Sequence, residues 1–96
     1  MYYVYILHLC NGDLYTGFTG DLRRRIGEHR AGRVKSTEHR RPLELIHYEA
    51  YLLESDARRR EKFLKTTEGK RLLRQQIRDV LLEKGSPGHP TGRPVE

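Results

Sequence analysis

The chain has a single cysteine, Cys10, in 96 residues. No disulfide can form within it, and no cysteine-rich zinc cluster exists. Long apolar runs are missing too, and none approaches the roughly 20 residues needed to span a bilayer. The first residues enter directly on a strand-like run, without the basic head and apolar core of a secretory leader, so a cytoplasmic location is expected. Internal repeats are absent. Negative charge is the scarcer sign: 13 Asp and Glu stand against 19 Lys and Arg, a formal net charge of +6 and a pI near 9.8. A field of that sign favours polyanions, nucleic acid first. An anionic membrane surface ranks lower as a partner, because the basic residues do not oppose a long lipid-facing stripe. The length suits one domain, so any active site should be a surface groove.

What is present begins with two short apolar runs. Residues 2–8 are nearly continuously apolar, as in a strand covered on both faces and central in its sheet. Asn11-Gly12 is a hairpin signal, and residues 14–18 return as a second strand. Asp21 is placed to cap a helix running to about Ala31, closed by Gly32. Residues 33–42 form a polar, basic loop ending in proline. Leu43 to Tyr51 reads as a third strand, with Leu43, Leu45 and His47 on one parity. Ser55 can cap a helix from Asp56 to about Lys65. After a break at Thr66-Thr67, Leu73, Ile77, Val80 and Leu81 give a last helix from about Glu68 to Lys84. Residues 85–96 carry Pro and Gly at short intervals without apolar periodicity, so a disordered tail is expected after a domain at 1–84. The order β-β-α-β-α-α gives an α+β fold, a small three-stranded antiparallel sheet flanked by helices.

Three groups of residues could carry chemistry. Arg25 and His29 are four apart on one helical face, at the margin of the apolar edge formed by Leu22 and Ile26. An arginine there can clamp a phosphate, and a histidine can hydrogen-bond it or shuttle a proton. The alternative is a solvated basic face of Arg23, Arg24 and Arg25 beside an ordinary surface histidine. Glu61 shares an inward stripe with Ala57 and Leu64, where an ionised carboxylate is costly unless it is paired or binds metal. A lone carboxylate suits Mg²⁺, which keeps most of its waters; the alternative is a pair with Lys65 or an arginine. Tyr5 and Tyr15 are strand tyrosines, a type usually used for packing. As a general base, a phenol needs positive charge or metal nearby to lower its pKa from about 10. Lys35, His39, Arg40 and Arg41 in the basic loop, with Arg24, could contact phosphates, or could simply be solvated.

The hairpin supplies a geometric test. A two-residue Asn11-Gly12 loop would point Tyr5 and Tyr15 to opposite faces. A three-residue loop, Cys10-Asn11-Gly12, with Gly12 left-handed in a bulge, would put both on one face. Joint use of the tyrosines therefore predicts the bulged form.

Taken in order, these elements resemble the GIY-YIG nuclease superfamily. Tyr3-Val4-Tyr5 stands where its first triplet would be and Tyr15-Thr16-Gly17 where its second would be. Asp21-Leu22-Arg23-Arg24-Arg25 through Glu28-His29 resembles its Arg-and-His helix, and Ala57 through Lys62 its metal-binding glutamate segment. Stretches such as Val34-Lys35-Ser36-Thr37 and Arg41-Pro42 resemble the small stand-alone bacterial members, themselves similar to the N-terminal nuclease domain of the repair protein UvrC. The resemblance implies hydrolysis of phosphodiester bonds, in DNA more than RNA, with one divalent ion, Mg²⁺ or Mn²⁺. It implies that Tyr15 or Tyr5 assists the attacking water, Arg25 stabilises phosphate charge, Glu61 holds the metal and His29 orients or relays protons. Gly17 would let the backbone approach the site, where nucleic acid binds. A non-catalytic nucleic-acid-binding module on the same fold is the alternative, and an accessory protein acting through a partner is a third. Phe18 departs from the pattern, standing where the repair domain usually carries a lysine.

Overall fold

The computed structural model describes residues 1–85. The tail expected over 85–96 lies, beyond Gly85, outside the described residues. Strands β1 (Tyr2–His8) and β2 (Leu14–Thr19) are followed by helix α1 (Leu22–Arg30), strand β3 (Glu44–Tyr51), and helices α2 (Glu54–Leu64), α3 (Thr67–Gln76) and α4 (Arg78–Lys84). The sheet is antiparallel in the order β2-β1-β3, which puts the apolar β1 in the centre.

Strand alternation divides the core in two. Val4 and Ile6 point to one face and pack with Ala57, Leu64, Leu73, Ile77 and Leu81 of the α2–α4 layer. Tyr5 and Leu7 point to the other, and pack with Leu9 and with Ile26 of α1. Burying each such aliphatic side chain contributes about 1.5–3 kcal/mol. No helix among the described residues is long and apolar enough to cross a membrane.

The hairpin takes the bulged form. The Leu9 amide donates to the Asp13 carbonyl (2.9 Å) and the Gly12 amide to the Leu9 carbonyl (2.8 Å), closing a loop of Cys10, Asn11 and Gly12. Gly12 has φ of +92°, a conformation that a Cβ disfavours. Tyr5 therefore pairs with Gly17, and Tyr15 with Leu7, so both tyrosines share the α1 face.

Four expectations need correction. The third strand slips by one residue: Ile6 pairs with His47 but Leu7 with Leu45, which leaves Ile46 as a bulge. Leu45 and His47 consequently face opposite sides, whereas Leu45 and Tyr48 come to share one. Ser55 is not a cap; α2 starts at Glu54 after Leu53, which makes no capping bond. The last helix is two helices, broken at Ile77 (φ −110°, ψ 31°). Its apolar side chain stays in the core through the break, so the periodicity shows no interruption. The loop over 33–42 is not wholly polar surface, since Val34 and Thr37 are buried.

Candidate functional site

Asp21 caps α1 by accepting from the Arg24 amide, which fixes the start of the helix after the hairpin. The helix then lays Leu22, Ile26 and His29 against the Tyr5 side of the sheet. His29 was expected at the margin of this face. It is instead fully buried, with edge contacts to the Tyr5 and Tyr15 rings at 5.5 and 5.2 Å between centroids. It therefore cannot touch a phosphate.

Both nitrogens of the His29 ring are engaged. Nε2 lies 2.8 Å from the Tyr5 phenol, and Nδ1 lies 2.8 Å from Oγ1 of Thr37. The Thr37 hydroxyl in turn donates to the Val34 carbonyl at 3.5 Å. A hydroxyl whose proton is so directed accepts from Nδ1–H, leaving Nε2 to accept the Tyr5 proton. Burial, assisted by the nearby charge of Arg25, pushes His29 down to about 4, so the ring is neutral at physiological pH. Thr37 is the residue that sequence reasoning missed. Its sole signal was its place in a short stretch shared with the stand-alone subgroup.

Tyr5 is only 1% exposed. Burial raises its pKa; the adjacent Arg25 guanidinium opposes that, while Tyr15 and Glu61 add to it. The Tyr5 ring lies across Gly17, where a Cβ would come within 2.3 Å of both Cζ and the phenol oxygen. The close approach that Gly17 permits is therefore to Tyr5, and Gly17 itself is buried. Tyr15, its ring 6.4 Å from that of Tyr5, is half-buried and accessible.

Arg25 retains 35% side-chain exposure and shares Glu28 with Arg24, at 2.9 and 2.8 Å. The bond to Glu28 comes first among the influences that raise Arg25, with Tyr5 next. Glu61 stands at the rim of its stripe, between the buried Ala57 and Leu64, with 20% side-chain exposure. Lys65 holds its Oε2 at 2.9 Å. Its Oε1 accepts no hydrogen bond from the described residues, which leaves one carboxylate oxygen for a cation.

The basic loop is not gathered around these groups. Arg41 donates to the carbonyls of Arg30 and Glu38 and ties the loop to the end of α1. Arg40 donates to the Ser36 carbonyl and faces Asp13 at 3.7 Å. With Lys70 and Arg74, it lines a groove that includes Thr16, whose side chain leaves β2 on the face opposite Tyr15. His39 is exposed beside Glu38, and Lys35 is exposed.

A family model described as the GIY-YIG catalytic domain matches residues 1–74. The chain belongs to the GIY-YIG family. A UPF0213 protein of Haloquadratum walsbyi is 40% identical over 82 residues, covering 82% of this chain and 92% of that one. A UPF0213 protein of Staphylococcus epidermidis is 41% identical over 66 residues, covering 68% and 80%. The solution NMR structure of a UPF0213 protein from Bacillus halodurans matches with a TM-score of 0.52 at 36% identity, covering 80% of this chain and 86% of that one. The α+β architecture described above matches that of the Bacillus halodurans structure.

The GIY-YIG fold is a nuclease-type fold, so the donor set can be tested against a divalent ion. Among the described residues no group of three or more His, Cys, Asp or Glu side chains could hold a metal. A transition metal wrapped by protein ligands does not fit. A hard, water-rich ion held by one carboxylate does, through the free oxygen of Glu61.

Proposed function

We propose that this protein is a divalent-metal-dependent endonuclease that hydrolyses phosphodiester bonds in DNA. One observation carries the reading. An accessible phenol (Tyr15) packs against the sealed Tyr5–His29 pair, the Arg25 guanidinium stands beside Tyr5, and Glu61 keeps one carboxylate oxygen free. A core built only for packing has no need of that set.

In this mechanism the Tyr15 hydroxyl accepts a hydrogen bond from the attacking water and orients it towards phosphorus. As the new P–O bond forms, the P–O bond to the leaving oxygen breaks, the water's proton passes to solvent and solvent protonates the leaving oxygen. Arg25 pairs with the charge that grows on the non-bridging phosphate oxygens. Glu61 would hold Mg²⁺ or Mn²⁺, which when bound supplies Lewis-acid polarisation of the phosphate and the leaving oxygen. Tyr5 and His29 act as positioning residues. Their hydrogen bond fixes the ring on which Tyr15 leans, and Thr37 fixes the tautomer of His29. The basic surface adds affinity that does not depend on sequence.

A second reading, a nucleic-acid-binding module without catalysis, is favoured by one contact. Lys65 already neutralises Glu61 at 2.9 Å. Incubating plasmid, single-stranded and branched DNA with Mg²⁺ or Mn²⁺ separates the two. Cleavage by wild type that is abolished in Glu61→Ala supports the nuclease; salt-sensitive binding without cleavage under either metal supports the binding module.

A further inference from the structure

Helix α1 has a second working flank. At about 100° per residue, Arg23 and Arg30 project from the side of α1 opposite Arg25, two turns and about 10 Å apart along the axis. They border a groove of about 480 Å³ between α1 and the β3 edge. Ile26 and Leu45 supply apolar lining, and Tyr3 and Tyr48 supply aromatic lining. The bulge at Ile46 is what brings Leu45 and Tyr48 onto this face. None of these residues belongs to the proposed catalytic set.

We propose that this groove binds a single-stranded segment of nucleic acid, with a base stacked on Tyr48 and the adjoining phosphates on Arg23 and Arg30. Three observations point to this occupant. Tyr48 is 53% exposed on the sheet face that α1 partly covers, and Tyr3 steadies it edge-on at 6.1 Å. A ring so held presents a flat face to a ligand.

The two arginines are also uncommitted. Neither has an acidic partner among the described residues. Asp21, the one carboxylate lining the groove, is engaged by the Arg24 amide and guanidinium. Glu28 is shared by Arg24 and Arg25. Glu44, at the start of β3, is in contact with Lys84 and feels Arg30 only through its field.

Finally, the pairing of aromatic and cationic groups selects the ligand. A duplex hides its base faces within the stack, whereas an unpaired strand can offer one to Tyr48. An acidic peptide would satisfy the arginines but lacks a base to stack. The groove and Tyr15 lie on either side of α1, so an unpaired strand held here leaves the catalytic flank open to a second part of a branched substrate.

The test is fluorescence anisotropy with labelled oligothymidine, in EDTA, so that it is independent of cleavage. Tyr48→Ala is expected to weaken binding roughly 5- to 150-fold, the range for loss of one stacked base. Tyr48→Phe should bind as wild type does. Arg23→Ala with Arg30→Ala should reduce the slope of log affinity against log salt by about 1.4, or about 0.7 for each phosphate contact. All three positions can be checked for folding by circular dichroism. Wild-type affinity in both Tyr48→Ala and the double arginine variant would overturn the proposal. So would displacement by polyglutamate as effective as by unlabelled oligothymidine. Failure of the nuclease reading appears in the metal-dependent cleavage assay and leaves this result unchanged.

Discussion

The Tyr5 phenol and Nε2 of His29 lie 2.8 Å apart inside the protein, with no path for either to a substrate. The pair is a fixed strut under the accessible Tyr15. Its first consequence is a pH dependence of folding. His29 is held at about 4 in the folded protein against an ordinary value of 6.5. Between those values the unfolded chain binds the extra proton, so stability is full above about pH 6.5 and declines as the pH falls towards 4. Urea denaturation across this window should follow that decline in the wild type. His29→Gln should be less stable at neutral pH and show a shallower slope.

The two tyrosines should separate chemistry from packing. Tyr15→Phe is expected to keep wild-type stability within about 0.5 kcal/mol and to lower the cleavage rate by about 10²-fold, because the water loses the hydroxyl that orients it. Tyr5→Phe leaves Nε2 of His29 buried without a partner and should cost about 1–3 kcal/mol. Thermal melts beside single-turnover rates distinguish the two patterns.

Gly17 is required by the ring above it. An added Cβ would sit 2.3 Å from Tyr5 Cζ, so Gly17→Ala must displace the ring or the strand. Overpacking of this kind costs about 1–3 kcal/mol. Because Tyr5 carries the link to His29, activity should fall with stability. Denaturation curves and near-ultraviolet circular dichroism of the tyrosines would register both.

On the opposite face, Glu49 fastens β3 to α2. Burial works to raise it, but hydrogen bonds from Arg60, Tyr51 and His47 outweigh burial and hold it down at about 2. Its contribution is therefore complete above about pH 4.5 and lost as the pH falls towards 2. Glu49→Gln should cost about 2 kcal/mol at neutral pH and flatten the acid limb of the stability curve below that of His29. Activity per folded molecule should not change.

Local patterns made much of the architecture legible. The apolar run of β1 announced a strand covered on both faces. The demand that Tyr5 and Tyr15 share a face identified the bulged hairpin that Gly12 provides. What escaped were features set by packing between distant segments. Burial of His29 depends on Thr37, a hydroxyl from a loop that reads as basic and solvated. The bulge at Ile46 leaves no trace in a strand whose residues suit either parity. The break at Ile77 is masked because its side chain keeps its place in the apolar stripe. Glu61 was legible as an acid near the core. Its partner Lys65 follows from helical spacing, but the free Oε1 does not.

Joint action of Glu61 and Tyr15 on a phosphodiester under a divalent ion defines the proposed nuclease. It is tested most directly by single-turnover cleavage of one labelled DNA substrate over a Mn²⁺ titration, comparing wild type, Tyr15→Phe and Glu61→Ala. Wild type is expected to cleave only with metal, Tyr15→Phe to cleave more slowly with an unchanged metal requirement, and Glu61→Ala not to cleave at any Mn²⁺ concentration. Cleavage by Glu61→Ala at the wild-type rate and the wild-type metal midpoint would contradict it.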